Sequence, residues 1–425
     1  MSLAVVRQAH RNIFAVSGQS YASSDRPQPG GRDLRLDLFR GLALLFIFID
    51  HVPDNVLSYL TLQSFSFCDA AEVFIFISGF AAATVYGKAL QRRGSLVATA
   101  QIYRRVWQLY VAHIFLFVMF AALVCYATLS VDNQNYSEDF GIDNFVDEPN
   151  LAIIKTLLLQ YQPQYLDILP LYVVLLGLFP LVLLLLERHL ALALAASGTV
   201  YLLTLHFGWQ PTSYPDGDAW FFNPLAWQFL FVIGAAAGYA PYSRQQLPRA
   251  GAWLPKVALG LTVVLGIIHI SWVIHASYEE FPALLSRQLT PFVQDKANLA
   301  PLRLISFLAL AVTATHFLTR NNRLLHTPPA RLMIRCGQHS LQVFCLGVLL
   351  AVLGQIVLTA VRDDIAMQLA VSAGGVALMI AVASLLAWYK ADHPTPSASD
   401  KAAAAGVTNA ARAARPLAGL LQPAA

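Results

Sequence analysis

Asp50, His51 and Glu72 are the residues of this chain best placed to do chemistry, because each stands in a stretch otherwise apolar enough to cross a bilayer. Asp50 and His51 close the run RLDLFRGLALLFIFIDH at 35–51, and Glu72 precedes the apolar run Val73–Ile77. A charge inside a bilayer costs ~2.5–3.5 kcal/mol on insertion scales, so ionisable groups in such places are candidates for function. An imidazole exchanges a proton near neutral pH, which makes His51 the candidate base. Adjacent helical residues do not face one another, so Asp50 is a poor orienter for His51. Glu72 is the better one. Two antiparallel spans bring their outward ends together, and a carboxylate on one ring nitrogen leaves the other free to take a proton from a hydroxyl. The plain alternative is a helix-end histidine donating to a backbone carbonyl.

Ten residues separate Arg40 from His51, about 16 Å along a helix at ~1.5 Å per residue. One helix would thus carry a cation near one membrane face and a base deep within. Arg104 and Arg105 stand at the same face on the third apolar segment, where basic residues hold loops inside and guanidinium forks also suit phosphate. Tyr103, Trp107 and Tyr110 read as interfacial anchors. Asp167, just before the fourth segment, and Trp220 and Asn223, just before the sixth, face the other side, where carboxylate, aromatic and amide groups suit sugar rings; interfacial belts also use Trp. Ser78 and Gly79 read as a close-packing pair, and no Gly-x-Ser-x-Gly elbow surrounds Ser78. His113, His206, His269, His275 and His316 show no metal spacing, and Cys68, Cys125, Cys336 and Cys345 read as small packed hydrophobes. Neither a metal nor a disulfide is expected.

The elements that must position these residues follow from composition. With 57% hydrophobic and 12% charged residues, the chain is far from the ~25% charged expected of a soluble domain. The net charge of +4 is small and is no nucleic-acid footprint. Apolar runs recur near 38–60, 70–88, 106–129, 168–186, 190–207, 224–240, 257–275, 301–319, 340–360 and 366–389, most of them close to the ~17–25 residues that span a hydrocarbon core. With the N-terminus cytoplasmic, 23 of the 28 Lys and Arg fall on the cytoplasmic side, leaving Lys155, Arg287, Lys296, Arg303 and Arg362 outside, as the positive-inside rule asks. Leu151–Leu159 reads as a short amphipathic helix at the interface. The expected fold is an all-α polytopic membrane bundle of about ten helices. It comprises a flexible cytoplasmic tail at 1–34, one transmembrane domain at 35–390 and a disordered cytoplasmic tail at 391–425.

Arg40, ten residues, His51, then Glu72 and Phe74–Phe80 form a pattern that resembles the signature of the acyltransferase-three superfamily of transmembrane acyltransferases. More closely, RDLRLDLFRGLALLFIFIDHVPDN (32–55), DAAEVFIFISGF (69–80), DILPLYVVLL (167–176) and WFFNPLAWQFLF (220–231) resemble its OpgC branch, whose named activity is succinylation of osmoregulated periplasmic glucans. The resemblance implies a multi-pass protein of the bacterial inner membrane with both termini cytoplasmic. It implies transfer of a succinyl group from cytoplasmic acyl-CoA to a hydroxyl of an extracytoplasmic glucan, with no bound cofactor. His51, Glu72 and Asp50 would then be catalytic, Arg40, Arg104 and Arg105 would bind the CoA phosphates, and Asp167, Trp220 and Asn223 would face the acceptor. Membrane lipid and the two substrates are the expected partners, and nucleic acid is not. A proton-coupled transporter or exporter of a glycan or small molecule is the competing class, since buried Asp, His and Glu can relay protons. A structural membrane protein leaves the cost of burying these groups unexplained.

Overall fold

Proline and glycine set where the helices stop. Asp33 caps the first, α1 (Leu34–His51), its carboxylate accepting from the Arg35 N–H at 3.1 Å. Two residues past its end stands Pro53, which disfavours helical backbone at the residue before it, and Val52 is indeed extended. The run expected at 38–60 therefore divides, and Val56–Leu60 forms a separate 3-10 turn capped by Asn55. Gly94, at φ +83°, separates α2 (Ala70–Arg93) from α3 (Ser95–Ser130). Neither Gly nor Pro occurs between 95 and 130, so α3 runs for 36 residues and takes in part of the stretch between the apolar runs at 70–88 and 106–129.

This computed structural model describes residues 32–130, 136–215, 217–243, 245, 251–277 and 295–392. The tails expected at 1–34 and 391–425 lie almost wholly outside them. The later helices are α4 (Ile168–Arg188), α5 (Leu190–Phe207), α6 (Pro224–Tyr239), α7 (Leu254–Ser277), α8 (Pro301–Phe317), α9 (Pro328–Gln338), α10 (Ser340–Ala360) and α11 (Ile365–Asp392). Between α3 and α4 lie three short helices, the last of which, Pro149–Leu157, occupies the segment read as amphipathic. Among the described residues seven helices, α2, α3, α4, α5, α7, α10 and α11, are long and apolar enough to cross a membrane. The shorter or more charged α1, α6 and α8 coincide with the remaining apolar runs. The protein is an all-α polytopic membrane protein. Among the described residues β-pairing is limited to isolated bridges, Tyr161 with Tyr214 and Thr212 with Ala219.

Small residues let α2 and α6 approach until backbones touch. A Cβ at Gly79 would meet the Phe231 carbonyl, and Cβ atoms at Gly234 and Gly238 would meet those of Phe76 and Phe80. α1 and α9 meet likewise, Gly41 against Met333 and Gly337 against Asp37. With no hydrophobic drive between helices in lipid, such close contact is what fixes a membrane bundle. Alternating helix direction then gathers the end of α1 with the starts of α2, α4, α6 and α8, and Asp50, His51, Glu72, Asp167, Trp220 and Asn223 lie at or beside those ends.

Candidate active site

A cavity of about 480 Å³ opens where these helix ends meet. Asp50 and His51 from α1, Asp69 from the start of α2, Asp167 from the start of α4 and Lys296 from the loop before α8 all line it. Gln162, Gln164 and Tyr165 form one wall, and Phe221 and Phe222 form another. The Tyr161–Tyr214 bridge ties these two walls together, with the Tyr214 N–H donating to Gln160 at 2.9 Å. The His51 ring lies against Tyr165 with centroids 4.3 Å apart and planes inclined by 32°. Its Nδ1 is buried without a partner. Asp50 accepts from the Thr61 hydroxyl at 2.6 Å. Burial pushes the Asp167 carboxyl up to about 6.

The hydrogen bond expected from Glu72 to His51 is not formed. Glu72 is fully buried and both its oxygens are taken. Oε2 accepts the Asp69 N–H at 2.9 Å, while Asp69 accepts from the Ala71 N–H at 2.7 Å, which together make a capping box on α2. Oε1 lies 2.6 Å from Nη2 of Arg303 and 2.7 Å from its Nε. Asp69 receives a second contact from Arg303 at 3.1 Å and the ammonium of Lys296 at 2.7 Å. Two carboxylates and two cations therefore form one neutral cluster beneath the cavity. Burial alone would raise Asp69, but Lys296 and Arg303 more than offset it and hold the carboxyl below its ordinary value. Burial alone would lower Lys296, and Asp69 more than offsets that, so the ammonium stays charged. His51 is held by ring packing on Tyr165 rather than by a carboxylate.

Of the expected acceptor residues, Asp167 lines the cavity and the other two do not. Trp220 is buried beside it, with its backbone N–H donating to the Pro211 carbonyl at 3.1 Å and its indole nitrogen buried without a partner, and its neighbours Phe221 and Phe222 present the aromatic faces instead. Asn223 is the buried N-cap of α6, its oxygen accepting from the Leu225 N–H at 3.0 Å. Its Nδ2 donates to the Trp209 carbonyl at 2.7 Å and to Asn298 at 2.8 Å. That side chain is occupied in joining two loops. Asp69, Tyr165, Lys296 and Arg303 were absent from the expected set.

A second cavity, of about 170 Å³, lies toward the other end of the bundle and is lined by Arg40, Ser78, Arg105, Tyr86 and Tyr172. Arg40 donates to the Ile77 carbonyl at 3.2 Å, tying α1 to α2. Arg105 joins it, whereas Arg104 is exposed and outside the lining. Phe74 lines this smaller cavity and Phe344 the larger, and the two rings touch with centroids 6.3 Å apart. An aromatic contact thus links the lining of one space to that of the other.

The family model described as OpgC protein matches residues 32–391. The chain belongs to the OpgC family. No curated protein and no solved structure matches it. In this OpgC-family chain the match begins just before the cap of α1 and ends within α11, so every residue of both cavities falls inside it.

Proposed function

We propose that this OpgC-family protein transfers an acyl group, succinyl by family resemblance, from acyl-CoA at the Arg40 and Arg105 cavity to a glucan hydroxyl in the His51 cavity. Family membership supports a glucan-modifying, acyltransferase-like role. The observation that carries the finer reading is the pair of cavities meeting at Phe74 and Phe344: one offers guanidinium groups suited to phosphate, and the other offers a buried imidazole among aromatic, amide and carboxylate groups suited to sugar. The thioester arm would pass between the two rings. His51 Nε2 takes the proton of the acceptor hydroxyl as its oxygen bonds to the thioester carbon. The C–S bond then breaks, the electron pair leaves on sulfur, and the imidazolium returns its proton to the thiolate.

The test is transfer by the purified protein from succinyl-CoA to a glucose oligosaccharide, read as the mass gain of the sugar. His51→Ala should lose roughly 10²–10⁴ in rate at saturating donor, with expression and folding retained. A variant within a few-fold of wild type would make His51 a structural histidine. No transfer by wild type, with proton-linked uptake of the sugar instead, would support a carrier.

A further inference from the structure

Lys296 is the one Lys or Arg among the described residues lining the His51 cavity, and the transfer as written gives it no role. We propose that its ammonium is the electrophilic group of that cavity, donating to the oxyanion that forms when a hydroxyl adds to the thioester carbonyl. This inference rests on the acyl-transfer reading.

The ammonium has three donors. One is spent on Asp69 at 2.7 Å, and Asp69 is shared with Arg303, so the lysine is only partly neutralised. The Phe221 and Phe222 rings, which line the cavity with Lys296, lie 5.5 and 5.6 Å from Nζ. Its backbone is held as firmly as its side chain. The Trp227 indole donates to the Lys296 carbonyl at 3.0 Å and to that of Ala297 at 3.1 Å, and the Asn223 N–H donates to the Ala297 carbonyl at 3.0 Å. A cation fixed before the reaction costs no reorganisation when charge develops, which is the condition for effective oxyanion stabilisation.

Asp50, Asp167 and Asp218 line the same space. The oxyanion appears as His51 becomes an imidazolium, so the net charge of the cavity does not change. Addition moves the carbonyl π pair onto oxygen and the hydroxyl proton onto His51. Collapse reverses the first movement, expels the thiolate and returns the proton from His51 to sulfur. Lys296 keeps its own protons throughout.

The test uses full-length protein with succinyl-CoA and with butyryl-CoA as donors and a glucose oligosaccharide as acceptor. We expect Lys296→Met to lower kcat by roughly 10²–10³ with both donors, with little change in either KM. The double variant D69N/K296M separates chemistry from structure, because it removes both partners of the ion pair and leaves no orphan charge. It should stay as slow as Lys296→Met. Recovery to the rate of Asp69→Asn alone would reduce Lys296 to a counter-ion. A loss confined to succinyl-CoA would mean that the ammonium reads a distal carboxylate, and near-wild-type turnover would also overturn the proposal. Wild-type protein that uses neither donor would sink the acyl-transfer reading itself, before any variant is compared.

Discussion

Glu72 has no surface exposed to solvent, and its energetic dependence on Arg303 decides what its removal does. Truncating one partner of a buried pair strands the other, at a cost of about 3–5 kcal/mol. We therefore expect Glu72→Ala to lower the thermal unfolding temperature in detergent sharply, and the double variant E72M/R303M to recover most of it, since Asp69 retains Lys296. Unfolding followed by intrinsic fluorescence checks this. A Glu72→Ala protein as stable as wild type but inactive would return Glu72 to the chemistry. The sequence made Glu72 conspicuous but not its partner, because a buried charge announces itself in an apolar run while the partner, 231 positions away, does not. A usable signal was nonetheless there. Lys296 and Arg303 were two of the five basic residues left on the outside by the charge asymmetry, and an exception to that rule near a buried acid is a candidate ion-pair partner. The Asp69-x-x-Glu72 spacing was likewise a capping box in plain view, which ties Glu72 to its own helix start.

At the level of elements, the apolar runs coincide with ten helices among the described residues, seven of them long and apolar enough to cross a membrane, since a bilayer demands length and hydropathy that sequence displays directly. What the runs could not show was which helices touch. The contact between α2 and α6 depends on glycines whose packing role only a facing backbone reveals, although small residues such as Ser78–Gly79 already point to close packing. The distinction is testable by comparing two helical glycines. At Gly79 a Cβ would press on the Phe231 carbonyl, whereas at Gly374 it would meet nothing within 4 Å. Gly79→Ala should destabilise by about 1–3 kcal/mol through overpacking, while Gly374→Ala should be neutral or gain roughly 0.5–1 kcal/mol from helix propensity. Thermal unfolding of both variants in one detergent decides it. Equal effects would mean that the α2–α6 contact is soft enough to absorb a methyl group. Asn223 and Trp220 illustrate the same limit from the other side: polar and aromatic residues beside a candidate site suit ligands and loop closure equally well, and only the Asn223 bonds to Trp209 and Asn298 separate the two.

For the whole molecule, the proposed reaction requires that the two cavities face opposite compartments, with the one lined by Arg40 and Arg105 toward cytoplasmic CoA. The charge asymmetry of the sequence leads us to expect that orientation, and the alternating helices carry the expectation to particular residues. Arg92 lies exposed at the end of α2 remote from Asp69, and Thr212 lies exposed in the loop beside the His51 cavity. In a background with the four native cysteines replaced, a cysteine at Thr212 should react with an impermeant maleimide in intact cells whose outer envelope admits the reagent. A cysteine at Arg92 should react only after the membrane is permeabilised. Both positions are exposed in the fold, so a difference between them reports the membrane and not burial. The reverse pattern would put His51 on the CoA side and the guanidinium groups on the far side. A cytoplasmic thioester would then have no phosphate clamp at its point of entry, and the glucan would have to be modified before export rather than after it.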